Sequence, residues 1–174
     1  MGKQKSDQNK ELKTNAMRIL DRNGIPYEEN LYQCDEFIDG VHVADQLGQD
    51  YAQSFKTLVL VGRSRKYYVF VLPVAEELDL KVCAKTVGEK SVEMVPVKEI
   101  NAVTGYIRGG CTPIGMKKQY PTVIHESALN FDRIYISGGR LGSQILINPR
   151  DLIRVTRAVT ADIIMHPSEP DPQQ

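Results

Sequence analysis

Tryptophan is absent from this 174-residue chain, and histidine and cysteine occur only three times each. The cysteines, Cys34, Cys83 and Cys111, are odd in number and have no close pair, which excludes the spacing of a disulfide framework and of a zinc knuckle. Reduced thiols are expected. An excess of charge of one sign is missing too, because 22 Lys and Arg balance 22 Asp and Glu. That balance excludes a uniformly basic nucleic-acid coat and leaves only local basic faces. The longest apolar run, Tyr67 to Leu72, is far short of the roughly 20 residues a membrane helix needs, so no membrane association is expected. Lys3, Lys5, Lys10 and Lys13 are not followed by the apolar region of a secretory signal, and a cytoplasmic location is the expectation.

Several signatures of chemistry are also lacking. No G-x-S-x-G nucleophile elbow occurs, nor a G-x-G-x-x-G dinucleotide turn, nor a phosphate loop ending in Gly-Lys-Ser/Thr. His125-Glu-Ser-Ala-Leu129 lacks the second histidine of the H-E-x-x-H metal pattern, and His42, His125 and His166 lie far apart in sequence. No metal and no cofactor is therefore expected.

What is present is an ordinary globular composition, 41% hydrophobic and 25% charged, in a length that suits one domain. Polar residues dominate 1–12, and prolines without apolar partners dominate 166–174, so mobile tails are expected around a single domain over 13–165. Thr14 or Asn15 can cap a helix through Ala16, Ile19 and Leu20 that stops at Asn23-Gly24, and Ile25 to Tyr32 reads as extended. Asp39-Gly40 opens a second helix ending at Gly48, Asp79 a third ending at Gly88, and Asn148-Pro149 the last. Lys56–Gly62 and Tyr67–Pro73 are β-branched and aromatic runs around a polar turn, the pattern of a hairpin. Shorter strands are expected at Ser91–Val95, Thr122–His125, Arg133–Ser137 and Gln144–Ile147, with a helix from Pro96 to Thr104. Hairpin and crossover order together predict an α+β domain, a mixed, curled sheet with short helices outside.

The candidate chemistry is concentrated in few places. Thr104-Gly-Tyr-Ile-Arg-Gly-Gly-Cys-Thr-Pro-Ile-Gly115 is rich enough in glycine to bring peptide N–H groups close to an oxyanion, or merely to turn tightly. Ser137-Gly-Gly-Arg-Leu-Gly142 is equally open to both readings. Lys56, at the start of an apolar strand, can be a solvated lysine or one held at a sheet rim with its ammonium aimed at a substrate. Cys111 can be a nucleophile only if a base or positive field lowers its pKa, and packing is the simpler role. Arg63, Arg65, Lys66, Lys117, Lys118, Arg140, Arg150, Arg154 and Arg157, interleaved with Tyr67, Tyr68 and Tyr120, can serve as RNA contacts or as ordinary solvated faces.

Taken in order, Lys13-Thr-Asn-Ala-Met-Arg-Ile-Leu20, Ser54-Phe-Lys-Thr-Leu-Val59, Val92-Glu-Met94, Thr104-Gly-Tyr106, Gly109-Gly-Cys-Thr-Pro-Ile-Gly115 and Ile134-Tyr-Ile-Ser-Gly-Gly139 form a specific series. Over about 13–163 the chain resembles the YbaK/EbsC family of aminoacyl-tRNA deacylases. The resemblance implies a β-barrel-like mixed sheet ringed by helices, related to the editing domain of bacterial prolyl-tRNA synthetases. It also implies trans-editing of Cys-tRNA(Pro) and Cys-tRNA(Cys), in which the substrate's own thiol attacks its ester. Lys56 then maps onto the family lysine, Gly109 and Gly110 onto donors for the developing oxyanion, and Tyr32 and Thr57 onto the pocket. Phe37, Asp39, Gly138, Gly139 and Gln144 complete the expected substrate-binding wall. Two departures touch that wall: Asp39 stands where an aromatic residue is expected, with Phe37 nearby, and Gln144 stands where a small polar or acidic residue is expected. The implied partners are the 3′ aminoacyl-adenosine end of tRNA and prolyl-tRNA synthetase in a ternary complex. Competing functions are a water-dependent deacylase for another small residue such as alanine, a non-catalytic tRNA- or synthetase-binding module, and a structural protein with basic patches.

Overall fold

The computed structural model describes residues 13–167; the tail expected at 1–12, and all but residues 166 and 167 of the tail expected at 166–174, lie outside the described residues. Side-chain caps start the helices where short polar residues meet an apolar stripe. Thr14 Oγ1 accepts the Met17 N–H at the start of α1 (Asn15–Arg22), Asp39 Oδ1 accepts the His42 N–H at α2 (Gly40–Leu47), and Asp79 accepts the Lys81 and Val82 N–H groups at α3 (Leu80–Val87). Gly48 and Gly88 end α2 and α3 in the left-handed conformation. Pro96 does not begin a continuous helix: a 3₁₀ turn, Val97–Glu99, leads into α4 (Ile100–Thr104). Asn148 caps α5 (Pro149–Thr156), with proline in its first turn where the missing N–H costs nothing.

The strands are β1 (Tyr27–Leu31), β2 (Phe55–Gly62), β3 (Tyr67–Pro73), β4 (Val92–Met94), β5 (Thr122–His125), β6 (Ile134–Ser137), β7 (Ser143–Ile147) and β8 (Val159–Ala161). The expected α+β class is realised as two sheets of three and five strands, ordered β1-β7-β6 and β4-β2-β3-β5-β8. The larger one is mixed, since β3, β5 and β8 run parallel while β2 is antiparallel to β3 and β4. A parallel bridge between Ser54 and Tyr135 joins the two sheets, and no barrel closes among the described residues.

Alternation along β3 explains why Tyr67–Leu72 is apolar without interruption. Val69 and Val71 face a core shared with Phe55, Ile134, Ile136, Ile145 and Ile147, sealed by Met17 and Leu20 of α1 and Leu152 of α5. Tyr68 and Phe70 face a second core with Leu60, Cys83 and Ala84. A strand covered on both faces carries no polar alternation. Because Leu20 is fully buried where α1 seals the main core, Leu20→Ala is expected to cost about 2–5 kcal/mol. Urea unfolding should show a lower midpoint at unchanged slope.

Candidate active site

The site begins with a break in pairing along β2. One edge of this strand is hydrogen-bonded to β3 along its length. On the other edge, Gln53 O accepts the Tyr135 N–H (3.1 Å) and Val59 O accepts the Val95 N–H (3.0 Å), so odd-numbered residues point that way. Between those two bonds no strand lies alongside among the described residues, and the N–H and C=O of Thr57 face open space. The space is a cavity of about 290 Å³. Its floor is β2 from Ser54 to Val59, and its walls come from the loop before α2, the segment around β4, the glycine-rich loop after α4, and β6–β7.

Of the residues singled out from sequence, Lys56, Thr57, Tyr32, Phe37, Asp39, Gly109 and Gln144 line this one cavity. Gly110, Gly138 and Gly139 do not line it. The Gly110 N–H donates to Ile107 O at 2.9 Å, and a Cβ at 110 would lie 2.8 Å from the Arg140 backbone, so this glycine is spent on a turn and a close chain approach. Gly138 carries the carbonyl that accepts from Thr14 Oγ1 at 2.6 Å, and a Cβ on Gly139 would press on Thr14 and Tyr106. Both therefore seat the start of α1. Gly109, at φ +83°, has Phe37 and Leu141 packed into the space a side chain would take, which locks the glycine-rich loop to the loop before α2. Tyr106 Oη, donating to Ile114 O at 2.6 Å, ties the same loop across its base.

Two wall residues are committed to internal partners. Asp39 Oδ1 accepts the His42 N–H and contacts His42 Nδ1 at 2.7 Å, and these bonds hold its carboxyl below the usual range. Gln144 is buried and forms a reciprocal amide pair with Gln49 at 2.7 and 2.9 Å. Asp39, a carboxylate, has no donor to offer, and Gln144 keeps only its second Nε2 hydrogen without a partner among the described residues. Sequence reasoning passed over Arg108 and Ser143, which also line the cavity; Ser143 Oγ is buried with no hydrogen-bond partner among the described residues. The signal for Arg108 was its place beside Gly109, and Ser143 gave none.

Burial dominates the electrostatics. It lowers the Lys56 pKa, an effect opposed by the negative charges of Glu77, Asp39 and Glu76. It pushes the Cys111 thiol up to about 12, and no base or cation offsets it. His125 and His166 lie outside the cavity, both contacting Asp162, at 3.2 and 2.7 Å. The cavity thus holds a half-buried amine, and burial works against ionising the one thiol on its lining.

The family to which this sequence and mixed two-sheet fold point is that of the aminoacyl-tRNA editing domains. The chain belongs to that family, whose match spans residues 40–155. It is similar to the candidate Cys-tRNA(Pro)/Cys-tRNA(Cys) deacylase EbsC of Enterococcus faecalis, 43% identical over 94% of this chain and 98% of that protein. Among solved structures, the hypothetical protein APE2540 superposes with a TM-score of 0.80 at 23% identity, covering 87% of this chain and all of that one. A candidate trans-editing enzyme for prolyl tRNA synthetase superposes with a TM-score of 0.74 at 24% identity, covering 89% and 99%. These two establish the fold.

Because burial pushes the Cys111 thiol up to about 12, it is far less ionised at pH 8 than a free cysteine. Iodoacetamide should therefore modify Cys111 on the order of a thousandfold more slowly than free cysteine, as peptide mass mapping over time would show. Gly110→Ala is expected to destabilise by about 1–3 kcal/mol through its clash with Arg140. Thermal unfolding alongside activity decides its role, since lost activity at unchanged Tm would place Gly110 in the chemistry itself.

Proposed function

We propose that this protein clears cysteine from Cys-tRNA(Pro), and also from Cys-tRNA(Cys), as a free-standing editing enzyme, with the substrate supplying its own nucleophile. The observation that carries the reading is the pairing of a lysine-bearing cavity with a thiol held protonated and no activated side-chain base. The likeness to EbsC, itself named for cysteinyl esters, points the same way.

In the proposed reaction the cysteinyl sulfur bonds to the ester carbonyl carbon and the bond from that carbon to the ribose oxygen breaks. The thiol proton ends on the departing ribose oxygen, giving free tRNA and a cyclic thiolactone that water opens to cysteine. Holding thiol and carbonyl together supplies most of the advantage, because the attack becomes intramolecular. The Lys56 ammonium, whose charge nearby carboxylates favour, orients the terminal adenosine and stabilises charge on the carbonyl oxygen. In this scheme the N–H groups of Thr57 and Gly109, both on the cavity lining, donate to that developing charge. Discrimination against alanine and proline is then chemical, since neither ester carries a thiol. We assign the activity to the cytoplasm, with prolyl-tRNA synthetase as the partner that produces the misacylated tRNA.

The test is release of amino acid from Cys-tRNA(Pro), Ala-tRNA(Pro) and Pro-tRNA(Pro) by the wild type and Lys56→Met. Only the cysteinyl ester should be cleaved, and the variant should lose on the order of a hundredfold or more in rate. Because burial opposes the charge on Lys56, the variant's Tm should not fall, which separates lost chemistry from lost fold. Release of alanine at a comparable rate would make water the nucleophile and overturn the reading.

A further inference from the structure

Arg108 stands out among the arginines at the surface. It is the one arginine that lines the cavity, and, unlike Arg133, Arg140 and Arg154, which pair with Glu28, Glu29 and Asp151, it shares with the other arginines the lack of a hydrogen-bond or ion-pair partner among the described residues. Its backbone is set by a turn: the Gly110 N–H donates to Ile107 O, and Gly109 supplies the positive φ at the third position, leaving Arg108 at the corner. Its guanidinium carbon lies 3.8 Å from the centroid of the Phe37 ring. Phe37 is in turn fixed against Gly109, where no side chain intervenes. Stacking uses the face of the guanidinium and leaves its in-plane N–H groups free, a planar fork suited to two oxygens of a phosphate. Among residues lining the cavity, only Arg108 and Lys56 are cations, and Lys56 is half-buried while Arg108 is exposed.

We infer that Arg108, preorganised on Phe37, binds the phosphodiester that joins the last nucleotide of the substrate to the rest of the RNA. This rests on the editing reading above: an ester placed beside Lys56 leaves its own terminal phosphate at the cavity mouth, where the fork waits. Arg108 is thus a positioning residue, selecting aminoacyl esters carried on RNA over free aminoacyl nucleosides.

The experiment compares wild type, Arg108→Met and Arg108→Lys on Cys-tRNA(Pro) and on 3′-cysteinyl-adenosine, which has no phosphate, with KM for the tRNA measured across a salt series. Methionine keeps an apolar stem over Phe37 without the charge. Arg108→Met should raise KM for the tRNA about tenfold, with the preference for tRNA over the nucleoside ester falling by the same factor. It should also lower the slope of log KM against log salt by about 0.7, the value for one contact to single-stranded phosphate. Lysine should restore the slope and only part of the KM, since it keeps the charge without the fork. An unchanged slope and unchanged preference would make Arg108 a pocket wall and overturn the inference while the editing reading stands. If the wild type does not cleave the nucleoside ester, the slope alone decides. Wild-type inactivity on every ester would instead remove the editing reading and this inference with it.

Discussion

The site depends on an interrupted strand edge. β2 has a continuous partner in β3 but two discontinuous ones on its other side, β6 at Ser54 and the β4 segment from Val59 onward. Buried peptide groups without partners are costly, so a fold keeps such a gap only where something else supplies hydrogen bonds. Here the gap is held open from both sides. The small sheet is tied down by the core it shares with α1 and α5, and the β4 segment stops pairing because the chain turns into a 3₁₀ helix at Val97, the next residue whose peptide would face β2.

Much of this was legible in sequence because it is local. Thr14, Asp39, Asp79 and Asn148 cap helices for reasons visible within four residues, and the β2–β3 hairpin announces itself by two β-branched runs around a polar turn. β8 was not foreseen, since Val159–Ala161 is three mostly exposed residues made a strand only by parallel pairing with β5. Division into two sheets was equally invisible, because it rests on pairings such as Tyr27 with Ile147 that no local pattern encodes. For the site, Lys56 was a candidate from its place at the start of an apolar strand, with a solvated lysine as the equal reading, and only motif resemblance favoured it and added Thr57. Gly138 and Gly139 show why a glycine pair is ambiguous: a close approach to a ligand and a close approach to Thr14 demand the same residue, and only the tertiary contact separates them.

One physical effect acts in opposite directions on the two candidate reactive groups. Burial disfavours charge, so it holds the Cys111 thiol neutral while making the Lys56 ammonium easier to deprotonate. The surrounding carboxylates of Glu77, Asp39 and Glu76 counter that loss for the lysine, and nothing comparable serves the cysteine. A cavity built this way retains a cation and withholds a nucleophile. Such a division of labour suits a substrate that carries its own thiol and needs only to be held, with charge stabilised where it develops.

The polar groups that the fold leaves unmatched are therefore not scattered. The Thr57 peptide, the Ser143 hydroxyl, the Lys56 amine and the Arg108 fork all border one cavity, while Asp39 and Tyr106 beside it are bonded internally and Gln144 is paired with Gln49. Internal satisfaction fixes the positions of the walls. Unmatched groups, held on those walls, then meet a ligand without reorganising, so the desolvation cost carried by the free protein is offset when the ligand's oxygens arrive. Stability given up at Lys56 and Ser143 and geometry enforced at Gly109 and Gly110 are in this sense one arrangement, in which rigid packing keeps apart the few groups that would otherwise find partners within the protein.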